Sequence, residues 1–246
     1  MNSFFTYFHD QGIFFSKVEM TIEYEQNFLD ELLRKQLYIP ASLDTALLKR
    51  KCEFVAGRWC AVQAMKNLGI SEVIQPGIGI NNEPLWPASI CGSISHTNNV
   101  ATAIVTLKNN NVIGVGVDKE VIFDSNRANF FSEKIMAPSE LIFSKCFSSH
   151  NLFITMIFSG KEALYKAIFP QIKRAVNFMF VKVCRVDDRN KMLELEFTQR
   201  LNDELYAGRR IKVLYSFNNN QVETFVFIEK LKPRPVGVVI SDRLCL

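Results

Sequence analysis

The chain has 246 residues, of which 48% are hydrophobic and 22% are charged, and its formal net charge is +4. This length and apolar content are sufficient for a packed core, which excludes a disordered or fibrous protein. The charge is too small and too dispersed for a dedicated nucleic-acid binder, and no apolar run approaches the ~18 residues of a membrane span.

The first half of the sequence begins with two predicted helices. Residues 26–37 form a short amphipathic pattern, and a longer helix is predicted from Ser42, a favourable N-cap, to about Leu68. Strands are predicted over residues 100–107 and 112–120, and the three asparagines between them indicate a hairpin turn.

The second half repeats this order of helix followed by strands. Residues 138–168 have a helical pattern, and the segments that follow read as strands joined by short turns. We therefore predict an α+β protein of two similar lobes, with residues 1–113 in the first and 114–246 in the second.

Cysteine spacing and the N-terminal sequence indicate the compartment. The six cysteines include no C-x-x-C pair, so a zinc cluster is not predicted and reduced thiols are expected. The N-terminal segment lacks a basic region and carries Asp10 within its apolar part, unlike a signal peptide. We expect a soluble, cytoplasmic protein.

Two carboxylates follow a predicted buried strand. Because alternate side chains of a strand share a face, Asp118 and Glu120 point to one side and Lys119 to the other. Their Cα atoms would lie ~6.6 Å apart, and two such carboxylates suit a hard cation such as Mg²⁺. A strand that simply ends in solvated charges is the more common explanation of this pattern by itself.

A second pair of charges lies on the later helix. Glu162 and Lys166 have the i, i+4 spacing of a helical ion pair, which is common on helix surfaces. The apolar residues around them make a merely solvated face less fitting. The functional alternative assigns Glu162 to a metal or to proton abstraction, and Lys166 to a phosphate.

A loop of small residues, 92–97, precedes a predicted strand. It offers backbone N–H groups, the Ser95 hydroxyl and the His96 imidazole to an anion. The G-x-S-x-G motif of a serine nucleophile is absent, since Thr97 occupies the last glycine position. The pair Gly114 and Gly116 lacks the third glycine of a dinucleotide fingerprint. A lone histidine is more often structural than catalytic, so this loop is ambiguous by itself.

In combination, these motifs resemble a known family. Four segments stand in the order typical of the 4′-phosphopantetheinyl transferases: FVAGRWCAVQAM (54–65), PLWPASICGSISHT (84–97), IGVGVDKE (113–120) and FSGKEALYKA (158–167). The likeness extends from about Lys49 to Phe180 and is closest to the branch that serves enterobactin-like siderophore synthetases. It includes IMAPSE (135–140), which matches the IxxPxE stretch of that branch.

The resemblance implies a pseudo-twofold arrangement of the lobes, with coenzyme A and Mg²⁺ bound in the cleft between them. The implied activity is transfer of 4′-phosphopantetheine from coenzyme A to a serine of an acyl, peptidyl or aryl carrier protein, for siderophore or other non-ribosomal peptide synthesis. The implied metal ligands are Asp118, Glu120 and Glu162. The implied phosphate contacts are Ser95, His96 and Lys166, and the implied catalytic residues are Glu162, Lys166 and His96. We also predict a monomer.

One departure from the family pattern concerns coenzyme A. Relatives usually carry a lysine or arginine before the proline of the P-x-WP stretch, where this chain has Asn82 and Glu83. The 3′-phosphate is therefore predicted to bind Arg50, Lys51 or Arg58, an inference from their charge and position.

The segment between the acid motifs, residues 121–150, is rich in apolar residues, about half of which we expect in the core. The resemblance places carrier docking here, with Arg127 and Lys134 facing the acids of the carrier. Two alternatives are a non-catalytic module that binds coenzyme A or an acidic protein, and a metal-dependent phosphodiesterase. The first has no need of three retained acids, and the second usually needs more acids or histidines than are visible.

Overall fold

The structure, a computed structural model, describes residues 2–8, 13–71, 73–108, 111–218 and 220–231, with side chains described from Ile13 onward. The predictions made for the N-terminal segment and for the turn at Asn109 and Asn110 concern residues outside these ranges.

The first half of the described chain folds around a four-stranded antiparallel sheet. Its elements are β1 (Asn2–Phe8), β2 (Ile13–Thr21), α1 (Gln26–Arg34), α2 (Leu48–Asn67), β3 (Gly77–Ile78), β4 (Pro84–Leu85), β5 (Ile90–Thr97) and β6 (Val100–Leu107). The sheet order is β1-β2-β6-β5, and α2 packs across β2, β5 and β6. Val18, Val55, Ala61 and Ala103 lie in the core between α2 and this sheet. We call this unit the first lobe.

The second half folds around a five-stranded antiparallel sheet. Its elements are β7 (Val112–Val121), α3 (Ser125–Ile135), a 3-10 segment (Pro138–Cys146), α4 (His150–Ile172), β8 (Val181–Asp187), β9 (Met192–Phe197), β10 (Arg210–Phe217) and β11 (Gln221–Glu229). The order is β7-β11-β10-β9-β8, and α4 packs across β7, β10 and β11. Phe153, Ile157, Leu164 and Val213 lie in its core. We call this unit the second lobe.

These two units confirm the predicted α+β class and the strands predicted at 100–107 and 112–120. The predicted hairpin of these two strands is wrong, because β6 pairs with β2 and β5 whereas β7 pairs with β11 of the other sheet. The segment predicted as a loop, 92–97, is part of strand β5. The predicted division after residue 113 falls within β7 and stays a prediction. The helix predicted from Ser42 is wrong in its start: residues 41–43 form a 3-10 turn, and α2 begins at Leu48. Leu47, the residue before α2, is extended and exposed, so burial does not favour an earlier start.

The helix predicted over 138–168 is interrupted. Its first part is the 3-10 segment, and α4 starts only after Ser149, whose hydroxyl accepts a hydrogen bond from the backbone N–H of Leu152 at 3.2 Å. A serine N-cap of this kind satisfies a donor at the helix start, so a new helix begins there.

The two sheets meet through a small third core. Phe15, Cys91 and Ile104 of the first lobe pack against Val115 and Val117 of β7. Next to this core, serine side chains join the lobes, because Ser93 and Ser95 on β5 accept hydrogen bonds from backbone N–H groups of β7.

Two glycines bring α4 close to β7. A Cβ atom at Gly116 would lie 1.8 Å from the carbonyl oxygen of Ala163, and one at Gly114 would lie 2.3 Å from that of Ala167. Only glycine allows this approach of helix backbone to strand backbone. These glycines therefore serve the packing that places α4 beside the exit of β7.

Within the described ranges, no single helix is both long and apolar enough to cross a bilayer. The 3-10 segment and α4 meet the length and composition criteria only as a joined pair, with a bend of 119° between them.

Candidate active site

The site is built where β7 leaves the core and α4 passes over it. Asp118 and Glu120 continue the every-second-residue series of Gly114 and Gly116 in β7. They therefore lie on the same strand face as these glycines, which is the face that meets α4. Lys119 points to the opposite face, as the alternation predicts, and forms an ion pair with Glu19. The strand thus presents its two acids to the helix that carries Glu162 and Lys166.

Lys166, Asp118 and Ser95 form a hydrogen-bonded triangle that joins the two lobes. Lys166 Nζ donates to Asp118 Oδ1 at 2.6 Å and to Ser95 Oγ at 3.1 Å, and Ser95 Oγ donates to Asp118 Oδ1 at 3.1 Å. Among the described residues, the second carboxylate oxygen, Asp118 Oδ2, is buried and has no hydrogen-bond partner. Asp118 Oδ2 therefore has the capacity to accept a hydrogen bond or to bind a cation.

Asp118 acts electrostatically on both of the other acids. Burial, together with the charge of Asp118, raises the pKa of Glu120 to about 7. Burial also raises the pKa of Glu162, with Lys166 opposing this rise and Asp118 adding to it. Crowded carboxylates with little compensating charge are stabilised by a cation.

The donor set fits a hard divalent cation such as Mg²⁺, which takes one or two carboxylates and keeps waters or substrate oxygens as its other ligands. Across the described parts of the chain, however, no three His, Cys, Asp or Glu side chains are already grouped closely enough to hold an ion. The fit therefore rests on the buried oxygen of Asp118 and on the repulsion of Asp118 with Glu120 and with Glu162.

His96 lies on the first-lobe side of the site in contact with α2. Its Nε2 is 3.1 Å from Nη1 of Arg50, and its Nδ1 is 4.0 Å from a carboxylate oxygen of Glu53. Burial lowers the pKa of His96, with Glu53 opposing this change. The three side chains place an imidazole and a guanidinium on the first-lobe side of the site, where the charges of Lys166 and Asp118 also act on the pKa of His96.

The other two predicted ligands of the 3′-phosphate, Lys51 and Arg58, donate hydrogen bonds to backbone carbonyls outside α2. Lys51 Nζ donates to the backbone carbonyl of Asp44 at 2.7 Å. Arg58 is buried and donates to the carbonyls of Pro76 and Gly77 at 2.7 and 3.0 Å. Burial lowers the pKa of Arg58 to about 10, so the guanidinium stays charged at neutral pH. Their assignment to coenzyme A stays a prediction, and Arg50 is the member of the trio that contacts His96 directly.

A cleft of about 240 Å³ opens beside Lys166, between β5 and α4. The ring of Trp86 lies over Gly92 on its first-lobe wall, where a Cβ atom would approach the ring to 2.5 Å. At its rim Glu83 pairs with Lys173 Nζ at 3.5 Å. The positive charge at this rim thus comes from the end of α4.

Two further polar contacts near the site were not predicted. Glu140 and Lys161 form a fully buried ion pair of 3.0 Å, and Lys161 also donates to the carbonyl of Ile135. Arg127 pairs with Glu120 at 3.2 Å and lies over the ring of Phe123. The sequence motifs contain both Glu140, in IMAPSE, and Lys161, directly before Glu162. No rule of local spacing predicts that residues 21 positions apart form an ion pair.

Comparisons with known proteins match this chain to one family. The 4′-phosphopantetheinyl transferase N-terminal domain family matches residues 39–106, and the 4′-phosphopantetheinyl transferase superfamily matches residues 114–216. Enterobactin synthase component D of Escherichia coli O157:H7 is 38% identical over 144 residues, which are 57% of this chain and 65% of that protein. The protein of the same name from Salmonella typhi is 37% identical over 131 residues, 53% of each chain.

The chain thus spans just under two thirds of the length of the first of these relatives. A solved holo-(acyl-carrier-protein) synthase from Bacillus anthracis, in complex with coenzyme A (3′,5′-ADP), is 24% identical with a TM-score of 0.36. That match covers 49% of this chain and 99% of the other.

Proposed function

Because the chain belongs to the 4′-phosphopantetheinyl transferase superfamily, we propose that it transfers 4′-phosphopantetheine from coenzyme A to a serine of an apo carrier protein. The observation that carries this proposal is the triangle of Lys166, Asp118 and Ser95. It brings a cation, a carboxylate and a hydroxyl from both lobes to one point beside an open cleft.

In this reaction the carrier serine attacks the β-phosphorus of coenzyme A, and adenosine 3′,5′-bisphosphate leaves. Negative charge builds up on the pyrophosphate, and Lys166 and His96 lie where they can bind it. Lys166 would exchange part of its contact with Asp118 for a phosphate oxygen. Arg50, held beside His96, adds a second cation on the first-lobe side.

Glu162 is the proposed acceptor of the serine proton, either directly or through a water at the metal site. Burial raises the pKa of its carboxyl group, and a carboxylate with a raised pKa is a stronger base than an ordinary surface glutamate. Its place on α4, one turn before Lys166, sets the base and the phosphate ligand on one side of the helix.

Asp118, Glu120 and Glu162 would hold Mg²⁺, with Asp118 Oδ2 as the buried oxygen still available to it. When bound, the ion would supply positive charge to the pyrophosphate. The pair between Arg127 and Glu120 shows how this acid is compensated at present, by a partly exposed guanidinium.

The proposed docking surface for the carrier lies on the second lobe, between the two acid motifs. Phe130, Leu141 and Ile142 are exposed there, and Lys134 Nζ lies 3.5 Å from the centre of the Phe130 ring. An apolar patch with a cation at its edge complements the acidic, partly apolar surface of a carrier. Phe123 and Ile135, in contrast, are buried, in agreement with the expectation that part of this segment is core.

Several finer assignments belong to the same proposal. The identity to enterobactin synthase component D supports a role in siderophore or related non-ribosomal peptide synthesis. We also propose that the protein acts as a monomer in the cytoplasm, with residues 1–113 on the coenzyme A side and residues 114–246 carrying the metal-binding acids.

The test is incubation of the protein with coenzyme A, Mg²⁺ and a panel of apo acyl, peptidyl and aryl carrier proteins, followed by intact-mass measurement. We expect the mass of one phosphopantetheine to appear on at least one carrier, and not on the same carrier with its serine replaced by alanine. Binding of coenzyme A by calorimetry with no mass increase on any carrier would instead indicate a binding module.

A further inference from the structure

Four charged side chains lie between the two sheets, on the face of β7 opposite the acids. Lys119 of β7 and Glu223 of β11 come from the second lobe, and Lys17 and Glu19 of β2 come from the first. Lys119 Nζ donates to Glu19, Lys17 Nζ donates to Glu223, and Lys119 Nζ lies 3.9 Å from Glu223. We call these four residues the interlobe ion cluster.

The interlobe ion cluster lies directly behind the proposed metal ligands. In the pairing of β7 with β11, Glu223 is opposite Lys119, and Thr224 is opposite Asp118. The contact between the sheets is therefore apolar at one end, where Phe15 packs on Phe227, and ionic at the end beside Asp118.

Lys119 binds the first lobe twice. Its side chain, in a residue that is only 7% exposed, pairs with Glu19, and its backbone N–H donates to the Ser95 hydroxyl at 3.2 Å. That hydroxyl also bonds Asp118 and Lys166. A shift of Lys119 along β2 would therefore move the strand that carries Asp118 relative to Ser95.

Lys119 and Glu223 are buried, whereas Lys17 and Glu19 are half-buried. Charges in such surroundings can specify an arrangement without adding much to stability. Desolvation offsets most of the attraction within a buried ion pair, whereas separating the two charges leaves each of them unpaired. Apolar side chains, by comparison, tolerate small displacements, since their contacts are not directional. An ionic contact at the end of the interface nearest the acids therefore resists sliding of the sheets there.

We propose that Lys119 is a positioning residue, which acts through the interlobe ion cluster to hold β7 in register with the first lobe. In this register Asp118 meets the Ser95 hydroxyl. Lys119 itself touches no reacting group. The consequence for turnover rests on the proposed transferase function, whereas the consequence for the contact between lobes does not.

The test compares Lys119→Met with Arg209→Met. Arg209 is also 7% exposed, and it pairs with Glu204 and donates to the carbonyl of Glu229, at the end of β11 away from the interlobe ion cluster. Both variants lose a buried cation, so both should unfold at a lower temperature. Lys119→Arg retains the charge and serves as the conservative variant.

We expect Lys119→Met to lower kcat about tenfold, since a displacement of ~1 Å at a reacting centre can reduce rates by up to ~100-fold. Arg209→Met and Lys119→Arg should retain kcat, all measured well below their unfolding temperatures. Amide hydrogen exchange at Val117 and Lys119, whose N–H groups bond to Ser93 and Ser95, should accelerate in Lys119→Met alone.

Equal losses of kcat in Lys119→Met and Arg209→Met, or unchanged exchange at the two amides, would overturn the proposal. If the wild-type protein transfers nothing, the exchange measurement still decides the register role. If Lys119→Met does not fold, an uncharged cluster with Lys17→Met, Glu19→Gln, Lys119→Met and Glu223→Gln keeps the side-chain volumes. It is expected to fold and to show the same rapid exchange, and wild-type exchange in this variant would contradict the register role.

Discussion

Two lysines of α4, Lys161 and Lys166, each form an ion pair with a carboxylate from another element, and the surroundings of the two pairs differ. Lys161 and Glu140 are 0% exposed, and both oxygens of Glu140 accept further hydrogen bonds, from the N–H groups of Ala137 and Val183. At the second pair, the Lys166 side chain is 27% exposed, that of Asp118 is 4% exposed, and one oxygen of Asp118 has no hydrogen-bond partner among the described residues.

The difference indicates a structural role for the inner pair, Lys161 and Glu140, and fits the proposed chemical role of the outer pair, Lys166 and Asp118. The inner pair has every oxygen satisfied, so it holds residues 135–140 and β8 against α4 and has no capacity left for a ligand. The outer pair keeps an exposed cation and a buried acceptor, which are what a phosphate and a metal ion require. Removing a partner should therefore affect folding at the inner pair and turnover at the outer one.

Metal removal is expected to have the largest effect, and only on the outer pair. EDTA should abolish transfer to a carrier, and excess Mg²⁺ should restore it, since Asp118, Glu120 and Glu162 would lose the ion that their crowded charges favour. Turnover is measured by intact mass. As a control, EDTA should leave the unfolding temperature of Lys161→Met unchanged. Full activity in EDTA would leave the three acids without a metal role.

Lys161→Met should have the largest effect on stability. It leaves the Glu140 carboxylate buried without its cation, which typically costs ~3–5 kcal/mol of unfolding free energy at a pair that is 0% exposed. Chemical denaturation measures this loss, and the addition of Glu140→Gln should recover part of it.

The matched variant is Lys166→Met, on the same helix. It should lower transfer roughly ten- to a hundredfold, the loss of a charge-assisted phosphate contact, with a smaller change in stability than Lys161→Met. Equal destabilisation by the two variants would mean that both pairs are structural.

The smallest effect is expected at the docking surface, away from both pairs. Lys134→Glu should raise KM for the carrier several-fold, because rim charges mainly affect association, and should leave coenzyme A affinity unchanged. Arg127 is a poorer probe than predicted, since it contacts Glu120. Loss of coenzyme A affinity in Lys134→Glu, measured by calorimetry, would place the docking surface elsewhere.

Much of the fold was predictable because local patterns determine it. The alternation of Gly114, Gly116, Asp118 and Glu120 placed both acids on one strand face, and it placed Lys119 on the other. The helix boundaries were less predictable. Ser42 is a favourable N-cap residue, yet residues 41–43 form a 3-10 turn and α2 starts at Leu48. The start of a helix depends on the path of the chain into the core as well as on the local capping residue.

Long-range contacts were decided by the tertiary structure alone. The motifs indicated which residues carry the chemistry, but not that Ser95 bonds Lys166 across 71 positions, or that Lys119 meets Glu19 across 100. Arg58, a predicted phosphate ligand, donates hydrogen bonds to the backbone carbonyls of Pro76 and Gly77, which its charge and position did not indicate. Periodicity within one element reports which face a side chain occupies, whereas its partner depends on how separate sheets and helices pack, which no local pattern encodes.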